Sequence, residues 1–290
     1  FSSLFTELGS YLVNTEYFYF SPGINSDLDK QVYSAISRPT APLVSNPKGI
    51  LDVRELMAEL RWVKSKEELA HIRHAVSISC EGLKLALAEI SKATSERHLS
   101  LIIQEKFASL GASDESFMTI VASGENATCL HHSPKVDTKL KDGLILIDCG
   151  ATYEHYHGDI TRTVHYSGIY TEAQYRIYEV VNEALRSGIS IARTGKTLAD
   201  IHNKVAASIT EGLLEIGLLK GKLKELVADR AYSKFFMHNA GHSVGLDVHD
   251  ITPVIRGRAG TLPGSHLRLV PGCVFTVEPG IYIDSNDRSV

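Results

Sequence analysis

Apolar residues in this chain recur at helical spacing and then at strand spacing, and the succession repeats. Leu69, Ile72, Val76, Leu83 and Leu87 form a stripe that predicts a helix. Its start is marked by Ser65 with Glu68 three residues on, a capping box in which each side chain satisfies the other's free backbone N–H. A second stripe, Leu99, Ile103, Phe107 and Leu110, ends at Gly111, a residue suited to the left-handed turn that closes helices. Strand spacing then takes over at residues 117–122, 144–151 and 159–166, which are rich in Ile, Val and Thr.

The same order returns downstream. Thr171 with Gln174 forms another capping box, leading a helix through Ile177, Val180, Val181 and Leu185. Leu198, Ile201, Val205, Ile209 and Leu213 line the next helix, closed by Gly217, and strand-like pieces follow at 234–237, 243–248 and 274–283. Helix, helix and strands, twice over, predict an α+β fold of two similar halves with a sheet between them and helices on one side. Ahead of this, residues 1–50 alternate short apolar-aromatic pieces with Pro, Gly and Asn breaks, and 42–49 reads as a linker. The expected organisation is the remnant of an N-terminal domain at 1–50, a linker helix at 51–64 and the main domain at 65–290.

Composition narrows the function more than the fold. The 290 residues carry a formal net charge of -4 with charges interspersed, so neither nucleic acid nor an anionic membrane is an expected partner. No apolar run approaches membrane-spanning length. Cys80, Cys129, Cys149 and Cys273 lack C-x-x-C spacing, which fits a reducing compartment, and a cytoplasmic location is the expectation. The chain opens on Phe1 in mid-sequence style, so a targeting segment is open to loss.

The chemistry sits in acids that end or begin apolar strands. Alternation along Leu144-Ile145-Leu146-Ile147-Asp148 puts Asp148 on one face with Leu144 and Leu146, where an unpaired carboxylate costs several kcal/mol and needs a partner. Asp159 heads Asp-Ile-Thr-Arg-Thr-Val, with Thr161 and Thr163 on its face to hydrogen-bond a ligating carboxylate. A turn aspartate beside Gly158 is the ordinary alternative for Asp159 alone, and a surface acid for Glu278 alone. His238, His242 and His249 cluster within strand-and-turn sequence, where Gly241 and Gly245 oppose a zinc-protease helix. Carboxylates and an imidazole converging in this way read as a paired divalent-metal site, with hydrolysis the leading chemistry.

Two other motifs fail on context. Gly241-His-Ser243-Val-Gly245 matches a serine-hydrolase nucleophile elbow, yet no helix pattern follows it. Ser190-Ile-Ala-Arg-Thr-Gly195-Lys196-Thr197 ends like a phosphate-binding loop, yet Ser190 replaces its first glycine and a helix precedes it.

Taken together, the motifs resemble the pita-bread (creatinase/aminopeptidase-like) metallopeptidases, in the proline-specific branch of Xaa-Pro aminopeptidases and prolidases. The resemblance runs from about Arg61 to Ile283. Its carriers are Ser123-Gly-Glu-Asn126, Leu130-His131, Ile147-Asp148-Cys-Gly150, Gly158-Asp-Ile-Thr-Arg-Thr163, the stretch from His238 to Asp250, and Val277-Glu-Pro-Gly-Ile-Tyr282. It implies metal ligation by Asp148, Asp159, His242 and Glu278. Substrate and intermediate contacts are implied for His131, His238 and His249, and a place near the proline-side pocket for Tyr282. Two divalent ions are expected, and an oxygen-rich donor set with one imidazole suits manganese, with zinc or cobalt as alternatives.

The implied reaction is hydrolysis of the Xaa-Pro bond at a peptide N-terminus by a hydroxide shared between the metals, with Glu278 as proton acceptor and His249 steadying the oxyanion. A prolidase acting on Xaa-Pro dipeptides is the alternative reading, and a non-catalytic binding scaffold a remoter one. Residues 251–270, with Arg256, Arg258, His266 and Arg268, lean towards prolidase, and Phe235-Phe236-Met237-His238 leans the other way. Implied partners are peptides with proline second, and a second copy of the chain in a homodimer or larger homo-oligomer. The family's further Glu ligand, in a strand of the form Gly-x-Arg-x-Glu, has no counterpart before Val290. The expectation is a catalytic domain cut before its last strands, one that binds metal weakly or as a single ion by itself.

Overall fold

The computed structural model describes residues 8, 10–12, 14–37, 45–140, 143–253 and 267–284. The chain divides into two compact units, Phe1–Leu60 and Arg61–Val290.

In the first unit, β1 (Tyr17–Phe20) and β2 (Gly49–Asp52) pair in parallel, with Tyr17 opposite Gly49 and Phe20 opposite Asp52. Parallel neighbours need a crossover, and α1 (Ser26–Ile36) lies between them in the chain. Its cap, Asn25, accepts hydrogen bonds from the N–H groups of Asp27 and Leu28. Residues 51 and 52, expected in a connecting helix, finish β2 instead, because Ile50 and Leu51 pair with the aromatic strand before the helix α2 (Val53–Trp62) begins.

The second unit opens with α3 (Lys66–Glu89), started by the capping box of Ser65 and Glu68, and α4 (Glu96–Ser109), capped by Ser95. The strands β3 (Asp114–Glu115), β4 (Ile120–Ser123), β5 (Leu144–Cys149), β6 (Ala151–Tyr153), β7 (Tyr156–His157) and β8 (Ile160–His165) follow. They form two antiparallel sheets, ordered β4-β5-β8 and β3-β6-β7. The single strand expected over 144–151 is therefore two, broken at Gly150 and shared between sheets, and the strand expected over 117–122 lies at 120–123. One face of β5, Ile145, Ile147 and Cys149, is buried with Ile78, Leu99, Ile103 and Phe107 of the helices.

Next come α5 (Glu172–Ile191), with its Thr171–Gln174 capping box, and α6 (Leu198–Glu215), with a further box from Thr197 and Asp200. The closing glycines Gly111 and Gly217 adopt φ of +87° and +86°. After α7 (Leu223–Ala228) the expected strand at 234–237 is absent: a short 3-10 turn at Ala231–Lys234 leads into Phe235 and Phe236. Both rings are buried in the core with Ala184, Val205, Ile209 and Leu213, so adjacent positions point to the same interior and period two is lost.

The expected strands at 243–248 and 274–283 reduce to one isolated bridge, Ser243 with Phe275. Glycine and proline at 241, 245, 271, 272 and 279 interrupt the ladder. Backbone bonds still tie the two segments antiparallel, with Glu278 N–H to Ala240 O and Thr276 N–H to His242 O at 2.9 Å each, and Val244 N–H to Val274 O at 3.2 Å.

Candidate metal centre

Strand pairing brings the first acid to its neighbours. Asp148 lies opposite Thr161 across the β5–β8 ladder, on the β5 face with Leu144 and Leu146 that points away from the buried helix-facing side. Thr161 hydrogen-bonds Asp148, so this threonine serves the acid of the neighbouring strand rather than Asp159 on its own. Asp159 immediately precedes β8.

The second half supplies the rest. His242 and Glu278 sit on the antiparallel segments joined through Thr276: the His242 N–H donates to Thr276 Oγ1 at 3.0 Å, and that hydroxyl donates to Glu278 Oε1 at 2.8 Å. A Cβ at Gly241 would collide with the Thr276 carbonyl oxygen, so the approach of the two segments requires glycine there. His242 Nε2 lies 3.3 Å from Asp159 Oδ2 and 3.3 Å from Glu278 Oε1. The four expected ligands thus converge from both halves. Among the described residues no three such side chains close around a point at ligating geometry, and the carboxylates of Asp159 and Glu278 bond to the imidazole instead.

Electrostatics show what this cluster lacks. Burial, followed by the charge of Asp159, pushes the Asp148 carboxyl up to about 7, and Glu278 adds to the effect. Burial also raises Glu278, against the pull of His242. Burial opposes charge on His242, but its bond to Asp159 and the nearby Glu278 raise it overall. Asp148 Oδ1 is buried with no hydrogen-bond partner. The Nδ1–H of His242 donates to the Ser243 carbonyl at 3.0 Å, which turns Nε2 towards Asp159 and Glu278, where its N–H meets their carboxylates and, once deprotonated, its lone pair would serve a cation. Three acids, one of them with a buried oxygen left without a partner, and an imidazole whose Nε2 faces the other two form a donor set that fits a divalent cation.

The remaining predicted residues flank this centre. The His249 ring lies 4.2 Å from that of His242, centroid to centroid. Burial and then the charge of His242 lower its pKa, with a smaller contribution from His131, which stands exposed after the 3-10 turn at Gly124–Thr128. His238 gives its Nδ1–H to the Asn239 carbonyl at 2.8 Å, which leaves Nε2 to accept from the Tyr282 hydroxyl at 3.0 Å. Burial, with the charges of Glu278 and Asp148, pushes Tyr282 up to about 12, so it stays a donor. Of residues 251–270, positions 254–266, with Arg256, Arg258 and His266, lie outside the described residues.

Sequence reasoning missed several supporting groups. His202 Nδ1 accepts the N–H of Ala240 at 3.2 Å, between His238 and His242, and burial lowers its pKa, as that neutral acceptor role needs. Thr276 was visible only as a strand neighbour of Glu278. Ser243, the nucleophile of the elbow motif, is 2% exposed and donates to the Val274 carbonyl, which denies it that role.

Three comparisons place these features among known proteins. The sequence pattern of metallopeptidase family M24 matches residues 70–290. The Xaa-Pro aminopeptidase of Escherichia coli K12 is 37% identical over 274 residues, covering 94% of this chain and 59% of that protein. The Xaa-Pro dipeptidase of Pyrococcus furiosus is 32% identical over 240 residues, covering 82% and 61%. Zinc-substituted E. coli aminopeptidase P in complex with product superposes with a TM-score of 0.86 at 35% identity, covering 97% of this chain and 63% of that one. The chain therefore spans less than two thirds of the length of each.

Proposed function

The chain belongs to metallopeptidase family M24 and has its α+β pita-bread fold, and on that footing we propose that it hydrolyses the Xaa-Pro bond at the N-terminus of peptides. The observation that carries this reading is the convergence of Asp159, His242 and Glu278 beside Asp148, whose Oδ1 is buried without a partner. Three carboxylates concentrate more negative charge than one divalent ion offsets, which favours two ions in the full-length protein, and their oxygen-rich character favours manganese over zinc. Bound there, such ions lower the pKa of water enough to supply a nucleophile near neutral pH and draw charge from the scissile carbonyl.

The protein's own groups do the rest. Glu278, raised by burial, takes the proton of the attacking water on its carboxylate and passes it towards the proline nitrogen. His249, beside His242, donates to the oxygen on which charge develops. His238, oriented by Tyr282, and the exposed His131 hold the peptide, and Tyr282 walls the proline side. A dedicated site suits this bond, because proline lacks the amide hydrogen and restricts approach.

The test uses the full-length protein with manganese against Xaa-Pro dipeptides, longer Xaa-Pro peptides and Xaa-Ala controls. Cleavage of the longer proline peptides is expected. Cleavage of dipeptides alone would turn the reading to a dipeptidase, the activity of the Pyrococcus furiosus relative's name, and cleavage of neither would remove the peptidase reading.

A further inference from the structure

A fully buried ion pair lies behind the histidines. Lys64, whose side chain is 1% exposed, places Nζ 2.9 Å from Oδ2 of Asp250, whose side chain is 0% exposed. The ammonium also donates to the Arg61 carbonyl and, at 3.4 Å, to Ser243 Oγ, so its three protons are all directed. Arg61 pairs with the other Asp250 oxygen, while its own Nε is buried without a partner.

Stability is a poor explanation for this cluster. Removing two charges from water offsets most of their attraction, and well-packed apolar replacements are often neutral or stabilising. Direction is what the charges add. Ser243 and Asp250 bracket one turn, closed by the Asp250 N–H to Ser243 O bond at 2.9 Å, and each directly follows a site histidine, His242 and His249. Inside the turn a Cβ at Gly245 would strike Asp250 Oδ2 and come within 3.0 Å of Lys64 Cε, so the chain folds tightly over the pair.

We propose that Lys64 is a positioning residue: through Asp250 and Ser243 its buried ammonium fixes the turn that holds the His249 ring against His242. The catalytic consequence rests on the peptidase reading above, whereas the ring geometry does not. Misplacing a group that meets the developing charge slows the chemical step more than it weakens substrate binding.

The test compares the full-length wild type with Lys64→Met/Asp250→Leu, which exchanges the buried ion pair for an apolar one and leaves Arg61 its second partner, Asp247, and with the near-isosteric Asp250→Asn. With manganese and a Xaa-Pro tripeptide, the double variant is expected to keep its fold and bound metal yet lose about 100-fold in kcat with little change in KM. In metal-free, histidine-labelled protein, the nuclear Overhauser contact between the His242 and His249 rings should vanish. Wild-type kcat per bound metal, or a retained ring contact, in the double variant would overturn the proposal. If the double variant does not fold, Asp250→Asn decides on the same two readouts. A wild type that cleaves no Xaa-Pro peptide would remove the peptidase reading, and the ring contact would still decide the role of Lys64.

Discussion

Glu96 Oε2 stands 2.7 Å from His132 Nε2, and the glutamate is buried at 0% exposure at the start of a helix. Its other oxygen accepts the Ser123 N–H at 2.8 Å and Asn126 Nδ2 at 2.9 Å. One carboxylate thereby gathers the end of β4, the 3-10 turn and the residue after His131. Glu96→Ala should destabilise the protein by about 3–5 kcal/mol, because buried donors lose their acceptor together. Denaturant melts would measure this, and a change below about 1 kcal/mol would contradict it.

Acid should weaken the same knot. Burial raises the Glu96 pKa, but the bonds from Asn126, His132 and Ser123 outweigh it and hold the carboxyl below its ordinary 4.5. An acid with a lowered folded pKa contributes stability that is fully present above the unfolded value and is lost as pH falls through the folded one. Wild-type stability is therefore expected to fall below about pH 4.5, with a shallower fall in Glu96→Gln. Parallel acid limbs in melts of the two proteins would count against Glu96 as a source.

Asp148→Asn should have opposite effects on the metal-free and metal-loaded states. At pH 8 without metal, the substitution removes a buried charge crowded by Asp159 and Glu278, and Tm should rise. Added manganese should raise the Tm of the wild type but leave the variant nearly unchanged. Equal manganese shifts in both proteins would remove Asp148 from the ligand set.

Thiol labelling should separate the cysteines. Cys129 is exposed, whereas Cys149 is fully buried in the β5 core and its pKa is raised by burial and then by Asp148. Under native conditions an alkylating reagent should modify Cys129 and spare Cys149 until the protein unfolds. Peptide mass mapping would reveal early Cys149 labelling, and that result would contradict the packing of β5.

Local sequence signals carried much of this architecture. Ser65 with Glu68 and Thr171 with Gln174 announce helix starts because capping is settled within four residues. Asp148, Asp159, His242 and Glu278 were legible because acids at the ends of apolar stretches need partners. Glu96 and Lys64 were not. In sequence, Glu96 is an ordinary acid in a first helical turn and Lys64 an ordinary lysine before a cap, and only distant partners show that both are buried. The second-half strands failed for a related reason, since Phe235 and Phe236 share one interior and Ser243 pairs with Phe275 alone.

The contact of Gly241 with the Thr276 carbonyl bears on how such a centre can be redesigned. The four donors are the visible specification, and exchanging them is the obvious route to another metal or reaction. The hidden specification is a position with no side chain. A library randomised at residue 241 would lose nearly every member whatever its donors, while one randomised at the exposed Asn239 would lose few.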